Sequence, residues 1–152
     1  MSNWFECKVK YDKTFKEGEE PQLSKPETYM VDALSFTEAE ARVIEEVTPY
    51  AISSLEVLAV KKTNITELVE SENPMADKWF RAKIVYINLD NDKEKRSASH
   101  YLVQGCDFED AFNQLVNVGL KGIQSDYDIA SIAETPIMDV FKYKPKKEET
   151  QE

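Results

Sequence analysis

Residues 79–86 read WFRAKIVY, and residues 4–11 read WFECKVKY. In the earlier phrase Phe5, Cys7, Val9 and Tyr11 alternate with Trp4, Glu6, Lys8 and Lys10. A period of two with one apolar side is the pattern of a strand buried on one face. A phrase that occurs twice predicts a domain that occurs twice. The echo continues: Tyr29, Val31, Ala33, Phe36 and Ala39 return 72 positions later as Tyr101, Val103, Gly105, Phe108 and Ala111. With the same displacement, Val57, Val60, Thr63 and Ile65 return as Ile129, Ile132, Thr135 and Ile137. The opening phrases stand 75 apart, so the first hairpin loop is three residues longer than the second. Length differences of this kind belong in surface loops.

Both copies have the same order of elements. A polar loop follows the opening strand, DKTFKEGEEPQLSKPET in the first copy and NLDNDKEKRSAS in the second. A second strand is expected around Tyr29–Leu34 or Tyr101–Cys106. Ser35 and Asp107 then stand where a helix needs a cap, and Glu38 is spaced to reach back. Phe36, Ala39, Val43, Ile44 and Val47 recur at helical spacing, as do Phe108, Ala111, Leu115 and Val118. Phe36 and Phe108 are therefore expected in the core. The first helix must stop near Thr48, ahead of Pro49, and the second near Gly119 or Gly122. Third strands are expected at Leu55–Lys61 and Tyr127–Ala133.

The expected fold class is α+β: two duplicated ββαβ units, each one helix on antiparallel sheet, related by an approximate two-fold. The helical crossover places the third strand beside the first. The expected boundaries are residues 1–69 for the first repeat, 70–77 for an acidic linker, 78–141 for the second repeat and 142–152 for a disordered tail. Three strands and a helix make a thin core, so both repeats are expected to pack as one globular domain.

The 152 residues can bury a sizeable core. With 19 basic against 29 acidic side chains, the net charge of −10 argues against wholesale binding to duplex DNA or an anionic membrane. The start, MSNWFECKVKYDK, lacks the apolar stretch of a signal peptide, and no run approaches the ~20 apolar residues of a membrane span. A cytoplasmic protein with no membrane partner is expected. Cys7 and Cys106 stand in apolar runs without CxxC spacing and are read as free thiols. The sequon Asn64-Ile65-Thr66 has no meaning in an unexported chain.

Catalytic patterns are absent. His100 is the single histidine, so it has no zinc-binding companion, and a surface place beside a strand is its reading. The four glycines build no phosphate loop, and neither GxSxG nor SxxK occurs. Asp90-Asn91-Asp92 with Glu94 lacks the glycine and distal glutamate of a calcium loop, so it reads as a hairpin turn. Asp126 and Asp128 alternate as solvent-facing acids do, and Glu134 sits at a strand end. A non-enzyme without metal or cofactor is expected.

The outward face of the two opening strands is what remains. It carries Trp4, Lys8 and Lys10 in the first copy, and Trp79, Arg81 and Lys83 in the second, with Glu6 as the one acid. Aromatics with alternating cations on an open strand can stack bases and neutralise phosphates, so weak, sequence-tolerant binding of single-stranded DNA or RNA is one expectation. The other is a protein-interaction module or homo-oligomeric scaffold, with the tryptophans buried at the join between copies or at a subunit interface.

The run Y-x-V-D-A-L-S-F-T-E-A-E-A-R at residues 29–42 supplies a further lead. With W-F-x-C-K-V at the start and SIAETPIMDVF near the end, it is similar to an uncharacterised domain family of Bacteroidota bacteria and their phages. The similarity spans Trp4 to Phe141. It implies a phage or mobile-element setting, and a partner in nucleic-acid metabolism or host takeover. It transfers no functional residues.

Overall fold

The computed structural model describes residues 3–12, 25–52 and 55–142. Most of the first hairpin loop and the tail from residue 143, expected to be disordered, lie outside the described residues. The protein is mixed α+β, with two four-stranded sheets and two α-helices. The elements are β1 (Asn3–Lys10), β2 (Glu27–Ala33), α1 (Phe36–Val47), β3 (Glu56–Lys62), β4 (Ile65–Val69), β5 (Lys78–Asp90), β6 (Lys93–Gly105), α2 (Phe108–Gln114), β7 (Asp126–Glu134) and β8 (Ile137–Phe141). Two compact units result, Met1–Lys62 with Asp139–Glu152, and Thr63–Met138. The stretch 70–77 lies inside the second.

In the first unit the strand order is β3-β1-β2-β8. β1 is antiparallel to both β2 and β3, so β2 and β3 run parallel and α1 is the crossover between them. Phe5, Cys7, Val9 and Tyr11 face the core, as their alternation requires, where they meet Ala39, Val43 and Val47 of α1. Burying each larger aliphatic or aromatic side chain contributes ~1.5–3 kcal/mol. The Ser35 hydroxyl accepts from the Glu38 amide at 3.1 Å. Glu38 reaches back one residue further than a standard capping box, to the Leu34 amide at 3.4 Å. The helix gives way at Thr48 to a short 3-10 turn containing Pro49.

In the second unit the order is β4-β6-β5-β7. Phe80, Ala82, Ile84, Tyr101 and Val103 meet Ala111 and Leu115 of the α2 segment. Asp107 caps α2, accepting from the Asp110 amide at 2.8 Å, and Asp110 accepts from the Cys106 amide at 2.8 Å. Gly105 passes so close to Ala111 that an added Cβ would lie 2.8 Å from its backbone nitrogen. A pair of tyrosines closes each core at matched positions: Tyr11 and Tyr29 at 3.2 Å, both donating to Glu27, and Tyr86 with Tyr101.

Four expectations need correction. The second hairpin loop, NLDNDKEKRSAS, is strand for nearly all its length. Asn91 and Asp92 alone form the turn, with φ of 52° and 62°, the left-handed pair that a tight two-residue hairpin demands and that Asn and Asp tolerate. Each half of the chain also has a fourth strand, β4 or β8, and each sheet takes that strand from the other half of the sequence. The order of elements in each half of the chain is thus longer than ββαβ. β4 runs parallel to β6, so the second sheet is not purely antiparallel.

The third correction concerns Phe36 and Phe108, expected in the cores but 54% and 56% exposed. Helix side chains tilt toward the N-terminus, so a first-turn residue has no preceding helical turn to cover it. Phe36 makes an edge-on contact with Phe5, ring centroids 5.1 Å apart. The fourth concerns Val118, expected on the apolar stripe of the second helix, whose end at Gly119 is where it is expected. That helix widens into a π-turn at Leu115–Gly119, closed by the Leu120 amide on the Leu115 carbonyl at 2.8 Å. The extra residue carries Leu120 onto the buried face and leaves Val118 54% exposed.

Candidate functional site

The strand registers place the candidate residues as follows. In the first unit Trp4, Glu6, Lys8 and Lys10 share the face of β1 away from α1; in the second, Trp79, Arg81 and Lys83 share the corresponding face of β5. Both tryptophans are buried, at 8% and 5% exposure. An indole buried to this degree has no open ring face for a base to stack on. Lys8, Lys10 and Lys83 are exposed and Arg81 is half-buried.

The cations of the two faces sit in different fields. In the first unit Lys10 stands opposite Glu56, and Glu6 lies two residues from Lys8 with Lys61 across from it. Acid and base alternate there, so the face is close to compensated. In the second unit Lys83 stands between His100 on β6 and Ser131 on β7, and Arg81 between Leu102 and Ala133. No carboxylate occupies any of these cross-strand positions, where paired side chains meet. Arg81 donates to the side-chain oxygen of Asn64. The His100 Nδ1 is buried and, among the described residues, has no hydrogen-bond partner. Burial first, then the charges of Arg81 and Lys83, hold its pKa below the usual histidine value.

A second group of exposed side chains gathers at the helix openings. In the first unit Leu34 (70% exposed) and Phe36 bracket the cap Ser35, and Glu40 follows Phe36 by one helical turn. In the second unit Phe108 and Phe112 lie one turn apart on α2, both exposed, beside the acids Glu109 and Asp110 of its first turn. The ground there is anionic: burial, a hydrogen bond with Asp110, and the charges of Asp110, Asp107 and Asp77 all raise the Cys106 thiol above its ordinary pKa. In the first unit burial, with Glu40 and Glu6, pushes the Cys7 thiol up to about 11. Both cysteines are free.

The exposed phenylalanines are hidden from a reading of helical period, because Phe36 and Phe108 are in phase with their cores yet stay more than half exposed. The His100–Lys83 pairing was legible in principle. A two-residue turn at Asn91–Asp92 fixes every partner along the hairpin. Among the described residues no group of three His, Cys, Asp or Glu side chains is arranged to hold a metal ion, and no helix is long and apolar enough to cross a membrane. No curated protein matches the chain. Residues 3–143 match the model of a family described as a domain of unknown function, DUF4494, and the chain belongs to that family.

Proposed function

We propose that this protein is a non-catalytic interaction module that docks a protein partner through the phenylalanines at its helix openings. The supporting observation is that Phe36 and Phe108, at the same first-turn position of α1 and α2, are each more than half exposed. Large aromatics left in water at matched positions, with Leu34 and Phe112 beside them, are the composition of binding hot spots. Glu40 near Phe36 and Glu109 near Phe108 select a partner that carries lysine or arginine around its apolar side chains. A second copy of the chain is disfavoured, because its own patches are acidic and each copy carries −10.

On this reading the doubled patch comes from duplication of an ancestral α+β unit, the source of the recurring WF phrase. A phage or mobile-element setting, and action inside the cell, belong to the same proposal. The test is fluorescence anisotropy with two labelled amphipathic peptides of equal length, one Leu/Lys and one Leu/Glu. The basic peptide binds, more weakly as salt rises, and Phe36→Ser with Phe108→Ser weakens it roughly tenfold or more. Equal affinity for both peptides, or an unchanged affinity in the variant, overturns the proposal.

A further inference from the structure

We infer that Arg81, Lys83 and His100 form a binding site for a single phosphate group on the second unit's sheet. The three side chains share one sheet face. Lys83 and His100 are directly opposite, and Arg81 is the next residue of β5 on that face. Directly opposed side chains lie about 5 Å apart at Cβ and diagonal ones about 7–8 Å, a spacing that a tetrahedral oxyanion can bridge. Like charges this close repel, and the arrangement is made favourable by an anion between them. Among the described residues neither Arg81 nor Lys83 has an ion-pair partner, whereas Lys78, Lys95 and Arg96 of the same hairpin are each paired with a carboxylate.

The strands on either side of His100 are β5 and β4. β5 presents Arg81 and Lys83. β4 presents Ile65 opposite it, while Glu67 lies opposite Tyr101 and acts on that phenol. The Thr66 hydroxyl next to it is engaged with Ser99 at 2.7 Å. His100 is thus a polar group in a cationic setting, with an unpartnered Nδ1. Protonated, it becomes a third positive charge, so proton and anion favour one another, and by linkage each tightens the other's binding. Among the described residues the first unit carries no such site, because Glu6 and Glu56 stand among its lysines.

The inference is independent of the docking proposal, since it uses a different face and no phenylalanine. Phosphate reaches such a site either as the free ion or as a nucleic-acid phosphodiester. As the single histidine of the chain, His100 gives one imidazole proton signal, whose NMR titration can be followed without assignment. The experiment records that titration on the full chain with sodium sulfate, inorganic phosphate, a short oligothymidylate, and sodium chloride at matched ionic strength. Sulfate and phosphodiester keep a constant charge across the range. The expected result is a His100 pKa higher with sulfate and phosphate than with chloride. Lys83→Gln or Arg81→Gln, each checked for fold by circular dichroism, should weaken the anion effect roughly tenfold or more. A larger rise with oligothymidylate than with sulfate, at equal anion concentration, identifies a nucleic-acid backbone as the ligand; an equal or smaller rise identifies a free ion. A His100 titration that is the same in chloride, sulfate and phosphate overturns the inference.

Discussion

At the scale of the residue, exposure decides what a side chain is for. Phe36 and Phe108 occupy apolar positions in the sequence pattern, yet each keeps more than half its surface in water. Phe36→Ala should therefore cost only ~1–2 kcal/mol, against ~3–5 kcal/mol for Phe5→Ala, which is 2% exposed. Urea denaturation of the two variants gives the comparison, and equal losses would place Phe36 in the core after all. Gly105 presents the opposite case. Its counterpart Ala33 tolerates a methyl, but at Gly105 a Cβ would meet the Ala111 backbone at 2.8 Å. Gly105→Ala should lower stability by ~1–3 kcal/mol, because strand and helix must be pushed apart; a melting temperature equal to the parent's would refute this. The tryptophans, at 8% and 5% exposure, should be poorly quenched by acrylamide, and quenching like that of a free indole would contradict their burial. The sequence shows which face of β1 and β5 each tryptophan is on. It does not show whether that face is covered, because coverage depends on packing remote in the chain.

At the scale of the element, caps and helix ends were legible, and the winding of the last helical turn was not. Strand alternation at residues 4–11, the caps Ser35 and Asp107, and the stop ahead of Pro49 each follow from a single named residue type, and each stands where expected. The π-turn at Leu115–Gly119 does not follow from period, since the sequence carries apolar residues at both Val118 and Leu120 and either could continue the stripe. The strands β4 and β8 are short, five residues each, and lack clear alternation, so nothing local distinguishes them from loops. The hairpin arm does not show as strand in the sequence because its strands are polar. Such edges are kept soluble by charge, and Lys93, Lys95 and Arg96 supply it. With Asp92 at φ 62°, Asp92→Gly removes left-handed strain and should raise stability by about 0.5–1 kcal/mol in urea denaturation. A loss of stability would mean that the turn is not the two-residue form described here.

At the scale of the molecule, each sheet is completed by a strand from the far half of the sequence, so neither half contains all of its own fold. In the first unit β8 brings Phe141 to stack on Tyr29 at 5.4 Å, and the Lys142 carbonyl accepts from Arg42 at 2.8 Å. Removing residues from 137 onward should strip hydrogen-exchange protection from β1 and β2 while β5 and β6 keep theirs; uniform protection would show that β8 is dispensable. Alkaline pH acts on both units. The Cys7 thiol is raised to about 11 by burial, then Glu40 and Glu6, and the Tyr29 and Tyr101 phenols are raised above their ordinary values, by burial first. Groups whose pKa is raised by folding add stability that is complete below their unfolded values and is lost as pH climbs through the folded ones. Stability should thus fall steadily above about pH 9, measured by urea midpoints, and a flat profile to about pH 11 would contradict it.

The central claim is that the acidic, phenylalanine-bearing helix openings are the working surface. The most direct measurement is a two-dimensional amide NMR titration of the whole chain with the Leu/Lys amphipathic peptide. The account predicts shifts concentrated at Leu34–Glu40 and Cys106–Phe112 and absent when the Leu/Glu peptide is added. Shifts confined to other elements, or no shifts with the basic peptide, would contradict it.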